Sequence, residues 1–107
     1  REYYRRIENA FRFLEGEVKL GRIGSYGISS NTFIEPKEHP EYTSLETCIE
    51  IAEKIKTEAG SHHFSTIQFP LNLFESQAAT LSNNGAHTVL ELAQLKGLKT
   101  LANRPFN

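Results

Sequence analysis

Gln68 is the side chain in this sequence that most needs a chemical explanation. It lies within "FSTIQFP", between the large apolar residues Ile67 and Phe69, in a segment typical of a buried strand. Burying its amide without a partner would cost about 1–3 kcal/mol. A primary amide offers both a donor and an acceptor, so Gln68 either bonds an adjacent strand or holds a ligand amide that needs both. Spacing alone leaves these two interpretations open.

The ends of the three predicted strands lie at positions 29–31, 68–72 and 103–107, and each of these stretches carries polar residues. Each of the first two strands is followed by a long connection, whereas each helix returns to the next strand within a few residues. In parallel α/β folds, sites form outside the carboxyl ends of the strands, where the strand-to-helix connections lie. We therefore expect the chemistry of this chain at that end of the sheet.

Helices and strands alternate along the chain. Apolar residues spaced by three and four predict a helix over residues 1–20; a second helix begins at an N-cap, Ser44, and ends at Gly60, and a third covers residues 87–97. Strands are predicted at 25–29, 64–69 and 98–103, with residues 70–86 as a long connection. This order predicts an α/β fold with a parallel sheet, either doubly wound or a (β/α)₈ barrel. Three strands leave sheet edges open, so the chain is expected to be part of something larger.

The composition argues against several classes of function. The 107 residues carry a net charge of −1, too little for a broad positive field that would hold nucleic acid or an anionic membrane. No apolar run approaches the roughly 20 residues of a membrane span. The N-terminal residues lack the apolar core of a secretory signal, and one cysteine forms no internal disulfide. We expect a cytoplasmic protein without nucleic-acid or membrane partners.

Other residues of reactive type have ordinary structural explanations. The side chains of adjacent His62 and His63 point apart on an extended chain, so they are interpreted as surface histidines before a strand and no metal site is expected. Cys48 lies on the apolar face of a helix and is interpreted as core packing. "REYYRR" is interpreted as part of the solvent-exposed face of a helix. The sequence contains no phosphate-binding glycine loop.

Three stretches resemble consecutive strands of the aldo/keto reductase family. "GRIGSYGISSNTF" is similar to the family's G-K-I-R-x-x-G-V-S-N-F, "STIQFPLNLFE" to V-x-Q-x-x-Y-N-L, and "GLKTLANRPFN" to G-[IV]-x-[VL]-x-A-Y-S-P-L. The resemblance implies that residues 1–107 are an incomplete single domain, a segment of a (β/α)₈ TIM barrel from its fourth helix to its seventh strand. It implies that the whole protein is an oxidoreductase that reduces small carbonyl compounds to alcohols with NADPH, and NAD is left open.

The resemblance also implies which residues bind the nicotinamide. It makes Gln68 and Ser29 the partners of the nicotinamide carboxamide, because that group presents one carbonyl and one amino group. The family's serine is followed by an asparagine, and here either Ser30 or Asn31 takes that role.

The last strand departs from the family pattern. Asn103 stands where the family often has an aromatic ring stacked on the nicotinamide, and an asparagine does not supply that stacking area. Arg104 either pairs with the cofactor pyrophosphate or is a surface arginine. The family's catalytic Asp, Tyr, Lys and His motifs are not in this sequence, so no catalytic residue is assigned and these residues alone are expected to be inactive.

The sequence is also compatible with two other functions. One is a non-catalytic, regulatory relative of the same barrel that binds a partner protein, for which Asn103 is the local support. The other is a stand-alone small α/β binding module, which cooperative unfolding of a monomer would favour.

Overall fold

The computed structural model describes residues 2–72 and 75–103. Along the chain the elements are α1 (Glu2–Lys19), β1 (Tyr26–Ser29), α2 (Leu45–Ala59), β2 (Phe64–Pro70), α3 (Gln77–Thr80), α4 (Val89–Leu95) and β3 (Lys99–Asn103). The strands form one parallel sheet in the order β1-β2-β3. The predicted α/β class with a parallel sheet is therefore confirmed, and every predicted helix and strand is present with slightly shifted ends.

One helix was not predicted. The connection between β2 and α4 contains α3, a single turn with the sequence "QAAT" whose Ala78 is fully buried. Helix α3 packs against α4, and α4 packs against β3. Across the described ranges, no helix combines the length and the apolar character needed to span a membrane.

The contacts divide the chain into two compact units. The first comprises Glu46–Ser65 together with the described residues up to Tyr26. Its centre is an aromatic cluster in which the ring centroid of Phe11 lies 5.0 Å from those of both Tyr26 and Phe64. Tilted ring pairs at this distance add to the free energy of burial, so one aromatic residue of α1 fixes the helix over the beginnings of β1 and β2.

The second unit comprises Gly27–Leu45 and the described residues from Thr66 onward. Its core includes Phe33, Ile67, Phe69 and Val89, none of them more than 1% exposed. Along β2, the buried Ile67 and Phe69 flank a half-buried Gln68. The alternation predicted for this strand is therefore present, and Gln68 points to the face opposite its apolar neighbours.

Gly27 allows the close approach of β1 and β2. A Cβ atom added to Gly27 would lie 2.2 Å from the carbonyl oxygen of Thr66, far inside any real contact distance. Only a residue without a side chain fits there, so this glycine lets the strand run close beside its neighbour.

Helix α4 begins with a complete capping box. The Thr88 hydroxyl accepts a hydrogen bond from the Glu91 amide at 3.1 Å, and the Glu91 carboxylate accepts one from the Thr88 amide at 2.9 Å. Two otherwise unpaired amides at the helix start are satisfied in this way. The reciprocal pair defines where the chain turns from the long connection into α4.

Asn83 joins the two long connections of the second unit. Its amide nitrogen donates to the carbonyl oxygens of Phe33 at 2.9 Å and Glu35 at 2.7 Å, and its own carbonyl accepts from the Tyr42 hydroxyl. Asn83 is 2% exposed, and its side-chain oxygen accepts from the amide of Asn84 at 2.9 Å. A buried amide that uses its donors and acceptor in this way anchors the connection after β1 to the connection after β2.

Candidate functional site

Ser29 and Gln68, which are both predicted to bind a ligand, lie side by side on the neighbouring strands β1 and β2. The Ser30 amide donates to the Gln68 carbonyl at 3.0 Å, at the carboxyl end of β1. In a parallel ladder this bond aligns residue 30 with residue 69 and residue 29 with residue 68. Ser29 and Gln68 therefore share one face of the sheet, opposite the face on which Phe69 is buried.

Both side chains are available to a ligand. Gln68 is half-buried and Ser29 is exposed, and neither side chain makes a hydrogen bond to any residue within 2–72 or 75–103. The interpretation of Gln68 as an amide bonded to an adjacent strand is therefore not supported by the described hydrogen bonds. What remains is an amide that bonds solvent or a bound molecule.

Asn103 ends β3 next to the end of β2. It pairs with Pro70 in the β2–β3 register, and its carbonyl accepts from the Leu71 amide at 3.2 Å. Its side-chain oxygen is buried and has no hydrogen-bond partner among the described residues. An unpaired buried acceptor costs free energy, so this atom suits a donor supplied by a ligand or by water.

The hydroxyl of Ser30 is already engaged. It lies 2.9 Å from the Thr32 hydroxyl and 3.0 Å from the Thr43 hydroxyl, and these two threonines lie 2.7 Å from each other. Asn31 is exposed in the turn that follows β1. Arg104 lies outside the described residues. Of the residues predicted for the site, Ser29 and Gln68 are thus brought together, whereas Ser30 is committed to a network of hydroxyls.

The pair formed by Ser29 and Gln68 matches a primary amide. Gln68 offers two N–H donors and a carbonyl acceptor, and Ser29 offers a hydroxyl that can donate or accept. A carboxamide placed between them would find an acceptor for its amino group and a donor for its carbonyl. The donors and acceptors on this face therefore suit a primary amide.

A second cluster of polar groups lies in the first unit, and the sequence did not reveal it. One oxygen of Glu15 lies 2.9 Å from Nδ1 of His63. The other accepts from the backbone amide of His63 and from the Tyr26 hydroxyl, both at 2.6 Å. An ionised carboxylate only accepts, so the Nδ1 of His63 donates to Glu15, and the Nε2 makes no hydrogen bond with another described residue.

The groups around Glu15 alter its ionisation. Burial raises the pKa of Glu15, but the hydrogen bonds from Tyr26 and His63 outweigh that effect, and the pKa lies below its ordinary value of 4.5. The pKa of Tyr26 is raised, first by burial and then by the hydrogen bond to Glu15. The carboxylate is therefore charged and the phenol neutral across the ordinary pH range.

This cluster opens onto a cleft of about 280 Å³ within the first unit. Arg12, Glu15 and Lys19 contribute one wall, since residues three and four apart lie on one face of α1. Ser61 and His63 line the other side. The helical spacing of the three charged residues was readable in the sequence, but His63, the partner of Glu15, lies 48 residues from it and is joined to it only by folding.

No protein-family model, no curated protein and no solved structure matches the chain.

Proposed function

We propose that this chain is a segment of an aldo/keto reductase-like (β/α)₈ barrel, in which Ser29 and Gln68 hold the carboxamide of a nicotinamide dinucleotide. The observation that carries the proposal is an accessible, unbonded primary amide beside an unbonded hydroxyl at the carboxyl end of a parallel sheet. That is the end of α/β sheets at which ligands bind. The ordered resemblance of three strands to the family points to NADPH.

The assignment gives each side chain a simple task. The Gln68 carbonyl accepts from the carboxamide amino group, and the Gln68 amide or the Ser29 hydroxyl donates to the carboxamide oxygen. The bound nicotinamide would supply the hydride for reduction of a carbonyl to an alcohol. Ser29 and Gln68 orient the ring, and Asn103, with a buried acceptor near the end of the same sheet, offers a further partner. We assign no catalytic acid within this chain, so it should not reduce carbonyl compounds alone.

The exposure of β3 agrees with a sheet that belongs to a larger barrel. Leu101 is aligned with Gln68 across the sheet and is 53% exposed. Parallel sheets are ordinarily covered on both faces by other parts of a protein. In a closed barrel, the face that carries Gln68 and Leu101 would be the interior, and further strands would cover the leucine.

The proposal is tested with two nucleotides that differ only at the carboxamide. Nicotinamide mononucleotide and nicotinic acid mononucleotide are titrated into the chain while amide shifts are followed by NMR. The first should shift the resonances of Ser29 and Gln68 saturably. The second should bind at least several-fold more weakly, because its carboxylate offers no donor to the Gln68 carbonyl.

A matched pair of variants separates this role from a structural one. Gln68→Met removes the amide at nearly constant volume, and Gln94→Met makes the same change at an exposed site on α4. Gln68→Met should weaken nicotinamide mononucleotide binding by about 1–3 kcal/mol, and Gln94→Met should leave it unchanged. Equal affinities of the two variants, with Gln68→Met only less stable, would refute the cofactor role.

A second candidate is a non-catalytic relative of the same barrel that binds a partner protein. The observation that favours it is Asn103, which stands where the family often has a stacking aromatic ring. An asparagine has much less area to stack on nicotinamide. Absence of nicotinamide mononucleotide binding by a folded chain would favour this candidate over the reductase.

A further inference from the structure

We propose that the cleft beside Glu15 and His63 binds a small hydroxycarboxylate, with the Nε2 of His63 hydrogen-bonded to the hydroxyl group and Lys19 pairing with the carboxylate. The cleft lies wholly within the first unit and is lined by α1, by the end of α2 and by residues 61–63. It is separate from Ser29 and Gln68, so the proposal does not depend on nicotinamide binding.

The ring of His63 is held in place by Glu15. Glu15 takes the Nδ1 proton at 2.9 Å and also bonds the backbone amide of the same residue at 2.6 Å, which fixes both the ring and the chain that carries it. The Nε2 atom makes no hydrogen bond with another described residue and is free to bond a ligand. A carboxylate that holds a histidine ring in this way orients the other nitrogen, and a ligand hydroxyl can either donate to that nitrogen or accept from it.

The positive charge of the cleft is concentrated on Lys19. Arg12 is held by Glu8 and Glu58 through three of its N–H groups, at 2.7–3.1 Å, so its charge is compensated. Lys19 makes no hydrogen bond or ion pair with another described residue. One uncompensated cation beside the charged Glu15 favours a monoanion over a phosphate dianion, and a carboxylate has the required charge.

The remaining walls limit the size of the ligand. Ile55 and Ala59 are the apolar side chains among the residues that line the cleft. A volume of about 280 Å³ is at the lower end of small-molecule sites. A short carbon chain that carries neighbouring hydroxyl and carboxylate groups satisfies the His63 nitrogen, the Lys19 cation and the apolar residues together.

Three probes of nearly equal size test which groups are recognised. Lactate carries both groups, propionate lacks the hydroxyl, and propane-1,2-diol lacks the carboxylate. Each is titrated into the chain while the ring nitrogens of His63 are observed by NMR. Lactate should shift the Nε2 resonance saturably, propionate should bind several-fold more weakly, and the diol should show no saturable shift. Equal binding of lactate and propionate, or no saturable shift with lactate, would overturn the proposal.

Two pairs of variants check the named residues. Lys19→Gln should weaken lactate binding about tenfold, the usual scale for loss of a charge-assisted hydrogen bond, whereas Lys99→Gln on the exposed β3 should not. His63→Gln should lower the preference for lactate over propionate, and His62→Gln should leave it unchanged. Lys19 is exposed at the end of α1, so its replacement does not threaten the fold. Unchanged affinity in Lys19→Gln would contradict the assignment even if His63→Gln proved unstable.

Discussion

Glu15 holds both the backbone and the ring of His63, with one oxygen 2.6 Å from the histidine backbone nitrogen and the other 2.9 Å from its Nδ1. The same carboxylate also accepts from Tyr26. A single side chain of α1 therefore fixes the segment that leads into β2 and the residue that begins β1. The loss of this carboxylate should affect stability as well as the chemistry of the cleft.

Glu15→Gln should destabilise the chain in a pH-dependent way. At neutral pH we expect a loss of about 1–3 kcal/mol, because hydrogen bonds to a charged, half-buried acceptor are replaced by weaker ones. The folded pKa of Glu15 lies below 4.5, so its contribution is present above that value and is lost as the pH falls through the folded pKa. Urea denaturation from neutral to acidic pH measures the difference.

The control for this prediction is Glu50→Gln, an exposed position on α2. It removes the same charge without removing hydrogen bonds to described residues, so it should change the free energy of unfolding by at most a few tenths of a kcal/mol. A gap between wild type and Glu15→Gln that stays constant on acidification would argue against a charged Glu15 in the folded state.

Cys48 should be unreactive in the folded chain. Its side chain is fully buried, and burial raises the pKa of the thiol from 9.0 to about 12. Because a thiolate is the reactive form, a disulfide reagent at pH 8 should label the native chain far more slowly than the chain in urea. The sequence has one cysteine, so all of the signal reports this residue.

The raised pKa of the Cys48 thiol predicts a loss of stability at alkaline pH. A raised folded pKa contributes stability that is complete below the unfolded value of 9.0 and disappears as the pH rises toward 12. Cys48→Ala should make this decline shallower. The raised pKa of Tyr26 acts in the same direction, so part of the decline should remain. Rapid labelling of the native chain at pH 8 would contradict the burial of Cys48.

Two glycine substitutions should have opposite effects. Gly27→Ala puts a methyl group 2.2 Å from the Thr66 carbonyl oxygen and should destabilise the chain by roughly 1–3 kcal/mol or more, because backbone atoms must move. Gly16→Ala lies within α1 with no atom near its added Cβ and should stabilise the chain by about 1 kcal/mol. Urea midpoints of the two variants provide the comparison, and a tolerated Gly27→Ala would show that the strands are not held this closely.

Much of the fold could be predicted from local patterns, and much of the chemistry could not. Apolar spacing and caps predicted α1, α2 and α4, and the run around Ile67 and Phe69 predicted β2. Helix α3 was missed because four residues are too few to establish a helical period.

The candidate sites, too, could be predicted only in part from local patterns. Spacing required a partner for Gln68 without identifying it, and in the structure the side-chain amide bonds none of the described residues. His63 was interpreted as a surface histidine, since adjacent histidines diverge, but its ring bonds Glu15. Contacts across 48 residues are created by tertiary packing, which no local period encodes.

The hydrogen bonds of the Asn83 amide constrain how the sequence of this chain could evolve. Because one side chain bonds Phe33 and Glu35 after β1 while Asn83 itself belongs to the connection after β2, the two connections do not vary independently. An insertion in either would have to preserve the position of the shared amide or replace its bonds. New specificity at this end of the sheet is therefore easier to acquire by exchanging single side chains than by lengthening either segment.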